Sequence, residues 1–458
     1  MAGNDALKEG VEQMAQSIEA FVGSAMDDAR MTPIHWRVLA LVAGGYFFDV
    51  LDLTILGALV PDMIKRGFIT APQVAAVGSA TLVGLLIGCV GQGEFTDRFG
   101  RKAVYQFNLL LYGVATIAAG LAPNFVWFAV FRFIARIGLG AEQPLCFSYT
   151  AEYAPKNIRG RILALMQLIG SAFPWPVGIL LALGFRDTIG WRGIWIVIGL
   201  GALIVFVLRF SLPESPRCLA THGKGQRALD LLKRMNLTVP SLDSLTTGAA
   251  SDTKSDPIAV VFRQYPRNVI ASMICFFAFF GIANGLGTWL PNIMAGRGFT
   301  ITKSLTFTLG MTIAFPCSSA FMMFALERFG RIRTAVAALV LAGLFAAAFA
   351  LAQSEAMILA LGFVMFFCIQ LAGNSMQIFD SEVFPTNARA SGFGFAHSGG
   401  RIGAAIIVPG FLFFQTTWGV PAVFGTIAVM LAVAAVAVTQ IGSETRGIAL
   451  DAIAPPTG

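Results

Sequence analysis

The sequence predicts an all-α membrane protein: twelve transmembrane helices in two pseudo-symmetric six-helix bundles. Three observations carry this expectation. Of 458 residues, 56% are hydrophobic and only 12% charged, with a mean hydropathy of +0.73; an ordinary soluble domain carries about twice that share of charge. Apolar runs of roughly twenty residues, the length that crosses about 30 Å of hydrocarbon, recur about twelve times. Motifs from the first half return in the second at one constant offset.

In chain order the runs cover about 36–60, 74–94, 103–122, 126–152, 160–184 and 191–212, then 268–292, 303–326, 333–352, 356–380, 391–414 and 418–440. The 40 Phe and 49 Gly suit lipid-facing rings and close helix crossings. Before the first run lies a polar, amphipathic stretch with Asp5, Lys8, Glu9, Asp27, Asp28 and Arg30, which does not read as a cleavable signal peptide. Between the sixth and seventh runs a polar segment carries Arg217, Lys224, Arg227, Lys233, Arg234, Lys254, Arg263 and Arg267. The expected organisation is an N-terminal segment (1–33), a first bundle (34–212), a linker (213–266), a second bundle (267–442) and a tail (443–458).

The net charge is +7, but the basic residues sit in short segments between apolar runs. That pattern fixes orientation in a bilayer and gives no reason to expect nucleic acid. With a cytoplasmic N-terminus, the inside loops hold Arg98, Arg101, Lys102, Lys156, Arg159, Arg161, the linker cluster, Arg328, Arg331, Arg333 and Arg389. The outside loops hold few: Lys65, Arg66, Arg186, Arg192 and Arg297. Both termini are therefore expected in the cytoplasm. The six cysteines show no CxxC or Cys/His spacing, so neither a metal site nor a disulfide framework is expected. No HExxH, GxSxG or phosphate loop suggests an enzyme, and no cofactor beyond a coupled proton is expected.

The repeat has an offset of 230. Asp97-Arg98-Phe99-Gly100-Arg101 meets Glu327-Arg328-Phe329-Gly330-Arg331. Glu152, Pro155 and Arg159 meet Glu382, Pro385 and Arg389; Pro61 meets Pro291; Glu214 meets Glu444. Parallel six-helix repeats about an axis along the membrane normal are the plan of the major facilitator superfamily. The segment Gly93 to Lys102 resembles that superfamily's loop 2–3 signature, GxLaDrxGrk, with Phe95 in place of Leu. Physically, an acidic residue at one helix end can meet the positive N-terminus of a neighbour, Arg101 can reach carboxylates across the gap between halves, and Gly100 permits the turn. Glu152-x-x-Pro155-x-x-x-Arg159, Pro213-Glu214-Ser215-Pro216-Arg217 and Ser443-Glu444-Thr445-Arg446-Gly447 resemble sugar-porter signatures. The resemblance implies a cytoplasmic gate made by Asp97, Arg98, Gly100, Arg101, Glu152, Arg159, Glu214, Arg217, Glu327, Arg328, Arg331, Glu382, Arg389, Glu444 and Arg446.

Ionisable residues inside spans are costly, about 2.5–3.5 kcal/mol each at a helix centre on insertion scales, so each needs a reason. Asp49 and Asp52 stand i, i+3 on one face of the first span. They resemble the DGYD element of aromatic acid:proton symporters and niacin-type carriers, with Val50-Leu51 replacing Gly-Tyr. The fourth span carries Arg132, Arg136 and Glu142 in a stretch similar to the superfamily's RxxxGxGxGGE helix, where Arg136 replaces a usual Gly. The acidic pair and the arginine pair are expected to meet. Asp49, Asp52, Glu142 and Arg132 are the candidates for proton coupling, with a structural ion pair as the plain alternative. The eleventh span carries His397 and Arg401, i, i+4. A guanidinium fork in a low-dielectric cavity suits a carboxylate, so the candidate substrate ligands are Arg136, Arg401, His397, Gln167, Asn284, Gln370 and Asn374. Each amide serves equally as glue between helices.

The seventh span lacks the paired Gln of sugar porters, and the fifth, Gly170 to Gly178, lacks the drug antiporters' GxxxGPxxGG. The resulting expectation is a monomeric bacterial plasma-membrane symporter taking up a small organic anion, aromatic or aliphatic, with a proton. A sugar or other neutral-metabolite symporter, a facilitator and a non-transporting nutrient receptor are the alternatives.

Overall fold

The computed structural model describes residues 18–99, 101–140, 142–221, 223–240, 245, 262–296, 299–384, 389–441 and 444. Side chains within 89–99 and those of Arg101, Ala103 and Arg389–Ser391 are outside what is described. The described residues form helices and connecting turns, without a strand. A short helix α1 (Ile18–Asp27) precedes the first span, α2 (Pro33–Lys65). Then follow α3 (Ala71–Phe99), α4 (Arg101–Gly120), α5 (Phe125–Leu139), α6 (Glu142–Tyr153), α7 (Arg159–Gln167), α8 (Pro174–Phe185) and α9 (Gly190–Leu208). Two linker helices, α10 (Pro216–Thr221) and α11 (Gly225–Arg234), lead to the second half. It comprises α12 (Pro266–Gly296), α13 (Ile301–Thr312), α14 (Ala314–Phe329), α15 (Arg331–Ala350), α16 (Glu355–Val383), α17 (Arg389–Trp418) and α18 (Val420–Thr439).

Every one of the twelve expected spans has its helix, but three are interrupted. The fourth is α5 plus α6, the fifth α7 plus α8, the eighth α13 plus α14. In the fifth, Pro174 offers no N–H to the turn before it, and Leu168–Ala172 widens into a π turn. The starts are capped locally: the side chains of Asn124, Thr300 and Ser354 accept from the amides of Trp127, Lys303 and Met357.

Packing between spans relies on close backbone approach. A Cβ on Gly88 of α3 would lie 2.2 Å from the Ile137 carbonyl of α5, and one on Gly403 of α17 would lie 2.3 Å from that of Phe277 on α12. The first six spans pack on one another, as do the last six. The halves meet mainly along α7 against α14, α8 against α13, and α2 against α12. On the face carrying the loop motifs, α1 docks by Ile18, Val22 and Met26, all buried, against α10 and α11.

Candidate functional site

Helix α2 brings Asp49 and Asp52 to α5, whose Arg132 and Arg136 stand one turn apart. The expected meeting of the two pairs is seen, but the two aspartates have different surroundings. Arg132 donates Nη1 to Asp52 Oδ1 at 2.5 Å and Nη2 to Oδ2 at 2.6 Å. Arg136 Nε lies 3.0 Å from Asp52 Oδ2, and the Tyr112 hydroxyl donates to Oδ1 at 3.2 Å. The Arg132–Asp52 pair is fully buried, and the guanidinium lies 4.3 Å over the Trp195 ring. Asp49 has a single arginine, Arg136 Nη1 at 3.0 Å. Asp49 and Arg136 also line a cavity of about 100 Å³ between the halves; Asp52 and Arg132 do not.

That cavity receives residues from both bundles. Tyr46, Asp49, Arg136, Gln143, Ser171 and Trp175 come from the first; Phe279, Phe280, Asn284, Gln370, Gln377, His397 and Arg401 from the second. Arg401 Nη2 donates across the interface to the Gly140 carbonyl at 3.1 Å, in the break between α5 and α6. His397 stacks on Phe393 (centroids 4.1 Å) and packs against Phe276 (4.2 Å); its Nε2 is buried without a hydrogen-bond partner. Asn284 turns its amide onto the Phe280 carbonyl of its own helix. Gln143 donates to the Tyr46 hydroxyl at 3.1 Å.

Three expected site residues sit differently. Glu142 joins neither aspartate; it takes Arg209 at 2.5 Å, both fully buried, with Arg209 also donating to the Leu41 and Tyr105 carbonyls. Gly45 makes room for this pair, since a Cβ there would lie 1.6 Å from Arg209 Nη2. Gln167 and Asn374 do not line the cavity. Gln167 Nε2 donates to the Asn374 carbonyl, and the Asn374 amide donates to Ser319 Oγ, so they tie the halves and α14 to α16. Nearby, Trp289 donates to the Val408 carbonyl at 2.7 Å and fastens α12 to α17.

The gate residues are partly described. Arg161 reaches across the halves to Glu327. Arg331 holds Glu382 with two hydrogen bonds, 2.9 and 3.1 Å. The Glu444 carboxylate accepts the Arg331 and Ile332 amides at 2.8 and 3.1 Å, an anion on the N-terminus of α15. Gly330, at φ +90°, turns the chain from α14 into α15. Arg328 lies over the Phe324 and Phe329 rings, Glu152 accepts from Ser148, and the Glu214 carbonyl accepts from Tyr153. Arg159 and Arg217 share Asp27 of α1, at 2.5 and 2.7 Å, which the motifs alone gave no reason to expect. Gly100 and Arg446, and the side chains of Asp97, Arg98, Arg101 and Arg389, lie outside the described residues.

Sequence reasoning missed Arg209, Asp27, Tyr46, Gln143, Ser171 and Trp175 as parts of these clusters. Arg209 had a signal, a charge inside the sixth apolar run. Among the described residues no group of three His, Cys, Asp or Glu could hold a metal ion.

Two helical bundles enclosing one central site, with paired charges between them, define a membrane transporter rather than an enzyme. The chain belongs to the sugar (and other) transporter family of the major facilitator superfamily, whose family model matches residues 25–455. It is 29% identical over 440 residues to the niacin transporter NiaP of Acinetobacter baylyi, covering 94% of this chain and 99% of that protein. It is 26% identical over 429 residues to the 4-hydroxybenzoate transporter PcaK of the same organism, covering 90% and 92%. A solved structure of the proton:xylose symporter XylE shares the fold, with TM-score 0.74, 19% identity and coverage of 92% and 98%.

Proposed function

We propose that this protein takes up a small aromatic carboxylate together with a proton, by alternating access around the central cavity. The observation that carries this reading is the Asp49–Arg136 pair facing Arg401 across that cavity. Two guanidinium groups beside aromatic walls (Tyr46, Trp175, Phe279, Phe280) suit a planar ring bearing one negative charge. Niacin and 4-hydroxybenzoate, named for two relatives, have that shape.

Coupling follows from competition for Arg136. While Asp49 is ionised it occupies Arg136 and repels an incoming anion. Protonating Asp49 removes the competitor and frees the guanidinium for the substrate carboxylate. The Asp49 proton and the anion together carry no net charge, and the halves rock while the gate pairs exchange. Asp52 and Arg132 hold the register of α2 and α5, Glu142 with Arg209 holds α6 to α9, and His397 shapes the wall. We read the protein as a monomer in a bacterial inner membrane with the motif-bearing face, and both termini, in the cytoplasm. The cavity amides of Asn284, Gln370 and Gln377 favour the rival reading, a hydroxylated neutral substrate.

The test is uptake into proteoliposomes under an inward proton gradient, with labelled aromatic acids, aliphatic acids and sugars. An aromatic acid should accumulate, an uncoupler should abolish the accumulation, and Asp49→Asn should lose it while counterflow exchange survives. Movement of a sugar alone, or accumulation by Asp49→Asn equal to wild type, overturns the proposal.

A further inference from the structure

Asp380 lies one turn before the end of α16, fully buried, and none of the roles above uses it. Its Oδ1 accepts the Ser272 hydroxyl of α12 at 2.7 Å. Its Oδ2 is buried without a hydrogen-bond partner. Among the described side chains, the cations and acids on the helices packed against α16 are engaged elsewhere or exposed: Arg328 of α14 lies over the Phe324 and Phe329 rings, and Arg333 of α15 is exposed. Arg331 of α15 holds Glu382, Glu327 of α14 holds Arg161 of α7, and Arg159 of α7 holds Asp27. On α17, Arg401 bonds the Gly140 carbonyl and His397 stacks on rings. On α6, Glu142 holds Arg209, Glu152 accepts from Ser148, and the hydroxyls of Tyr149 and Tyr153 donate to backbone carbonyls. Lys303 of α13 holds Glu355 at the opposite end of α16. On α12, Arg267 is exposed, and Cys275 is the titratable neighbour.

An ionised carboxylate with one hydroxyl partner and no cation among the described side chains is too costly to bury. The carboxyl is therefore neutral in this conformation. Its position gives the proton somewhere to go. Helix α16 packs on α6 and α7 of the other half, and Asp380 stands two residues before Glu382 of the Arg331–Glu382 pair, toward the seam that parts when this face opens. Water reaching that seam solvates the carboxylate and lets it ionise.

We propose that Asp380 is a second proton-exchanging carboxyl, protonated while the motif-bearing face is closed and releasing its proton there when the face opens. On opening, the carboxylic O–H breaks, the electron pair stays on the carboxylate and the proton passes to water as hydronium. On the return, the carboxylate takes a proton from hydronium reaching it through the central cavity from the opposite face, along the wall that Gln377 lines one turn before Asp380. The proposal rests on the symport reading above, and its test separates the two.

Infrared difference spectra of the substrate-free full chain, taken between acidic and alkaline buffer, should contain, beside the band that Asp49→Asn removes, a second carbonyl stretch of a neutral carboxylic acid. Asp380→Asn should remove that band, and Ser272→Ala should shift it without removing it. In proteoliposomes loaded by an inward proton gradient, Asp380→Asn should keep counterflow of labelled 4-hydroxybenzoate. Loss of one coupled proton should lower its accumulation ratio roughly tenfold for a tenfold proton gradient. A band that does not respond to pH, or one that survives in Asp380→Asn, makes the residue a neutral tie between helices and overturns the proposal. So does an unchanged accumulation ratio in a wild-type background that is uncoupler-sensitive. A wild type whose uptake ignores the uncoupler overturns the symport reading itself, and the coupling role of Asp380 with it.

Discussion

Asp52→Asn should damage stability where Asp49→Asn damages coupling. The substitution leaves Arg132, with a side chain 0% exposed, as a buried charge without its counter-ion. Removing one partner of a buried pair destabilises by about 3–5 kcal/mol. The asparagine carbonyl still accepts one guanidinium hydrogen bond, which restores about 1 kcal/mol, so a net loss of roughly 2–4 kcal/mol is expected. The Trp195 face and Tyr112 hydroxyl are present in both forms and do not change the difference. Asp49 borders the cavity and shares an arginine that keeps Asp52, so its neutralisation should lose well under half as much. The assay is the midpoint of thermal unfolding of each purified variant in one detergent, alongside proteoliposome exchange. The expected result is a much lower midpoint for Asp52→Asn and a near-normal one for Asp49→Asn. If Asp52→Asn unfolds with the wild type and merely loses proton-driven accumulation, the division of the two aspartates into structural and coupling roles is wrong.

Three further outcomes follow from the geometry. Arg401→Gln removes one of two guanidinium groups facing the cavity; a charge-assisted hydrogen bond is worth about 1.5–3 kcal/mol, so the half-saturation for the transported acid should rise roughly tenfold or more in initial-rate uptake. Gly45→Ala drives a methyl to 1.6 Å from Arg209 Nη2 and should abolish recovery of folded protein, read as the loss of a monodisperse peak on gel filtration. Asp27→Asn deprives Arg159 and Arg217 of their shared carboxylate and should release α1, so that limited proteolysis cuts between α1 and α2 much faster than in the wild type.

Much of the fold was legible because a bilayer imposes length and polarity on each helix separately. The runs, the linker and the repeat at offset 230 need no knowledge of which helix touches which. The meeting of Asp49 and Asp52 with Arg132 and Arg136 was also legible, since i, i+3 and i, i+4 spacings put each pair on one helix face. Which aspartate borders the cavity was not. Three residues rise about 4.5 Å along a helix, and only the packing of both bundles decides whether that step leads into the cavity or away from it. The partner of Glu142 is 67 positions away, on a helix whose register against α6 is fixed by side chains spread over several spans. Asp27 belongs to a polar segment with no span periodicity, and its role appears only once α1 docks beside Arg159 and Arg217. Asp380, closing the tenth apolar run, was an intramembrane acid that charge alone should have flagged.

Arg136 is where the structural and the exchangeable parts of the cluster join. Its Nε is committed to Asp52 and its Nη1 to Asp49, while Arg132 neutralises Asp52 from the other side. The inner pair therefore stays neutral whatever the cavity holds, and only the Asp49 arm can be exchanged. On the proposed reading, a substrate anion takes that arm when Asp49 accepts a proton and surrenders it when the proton leaves. Each ligand then raises the affinity for the other by the same factor, as linkage requires. Arg401, whose described side-chain bond is to a carbonyl, adds attraction for the anion without adding a competitor. A site with both aspartates equally exposed would lack this property, because Asp52 could recapture the guanidinium that protonated Asp49 had released. Burying Asp52 against Arg132 thus makes the protonation state of a single carboxyl decide whether Arg136 is available.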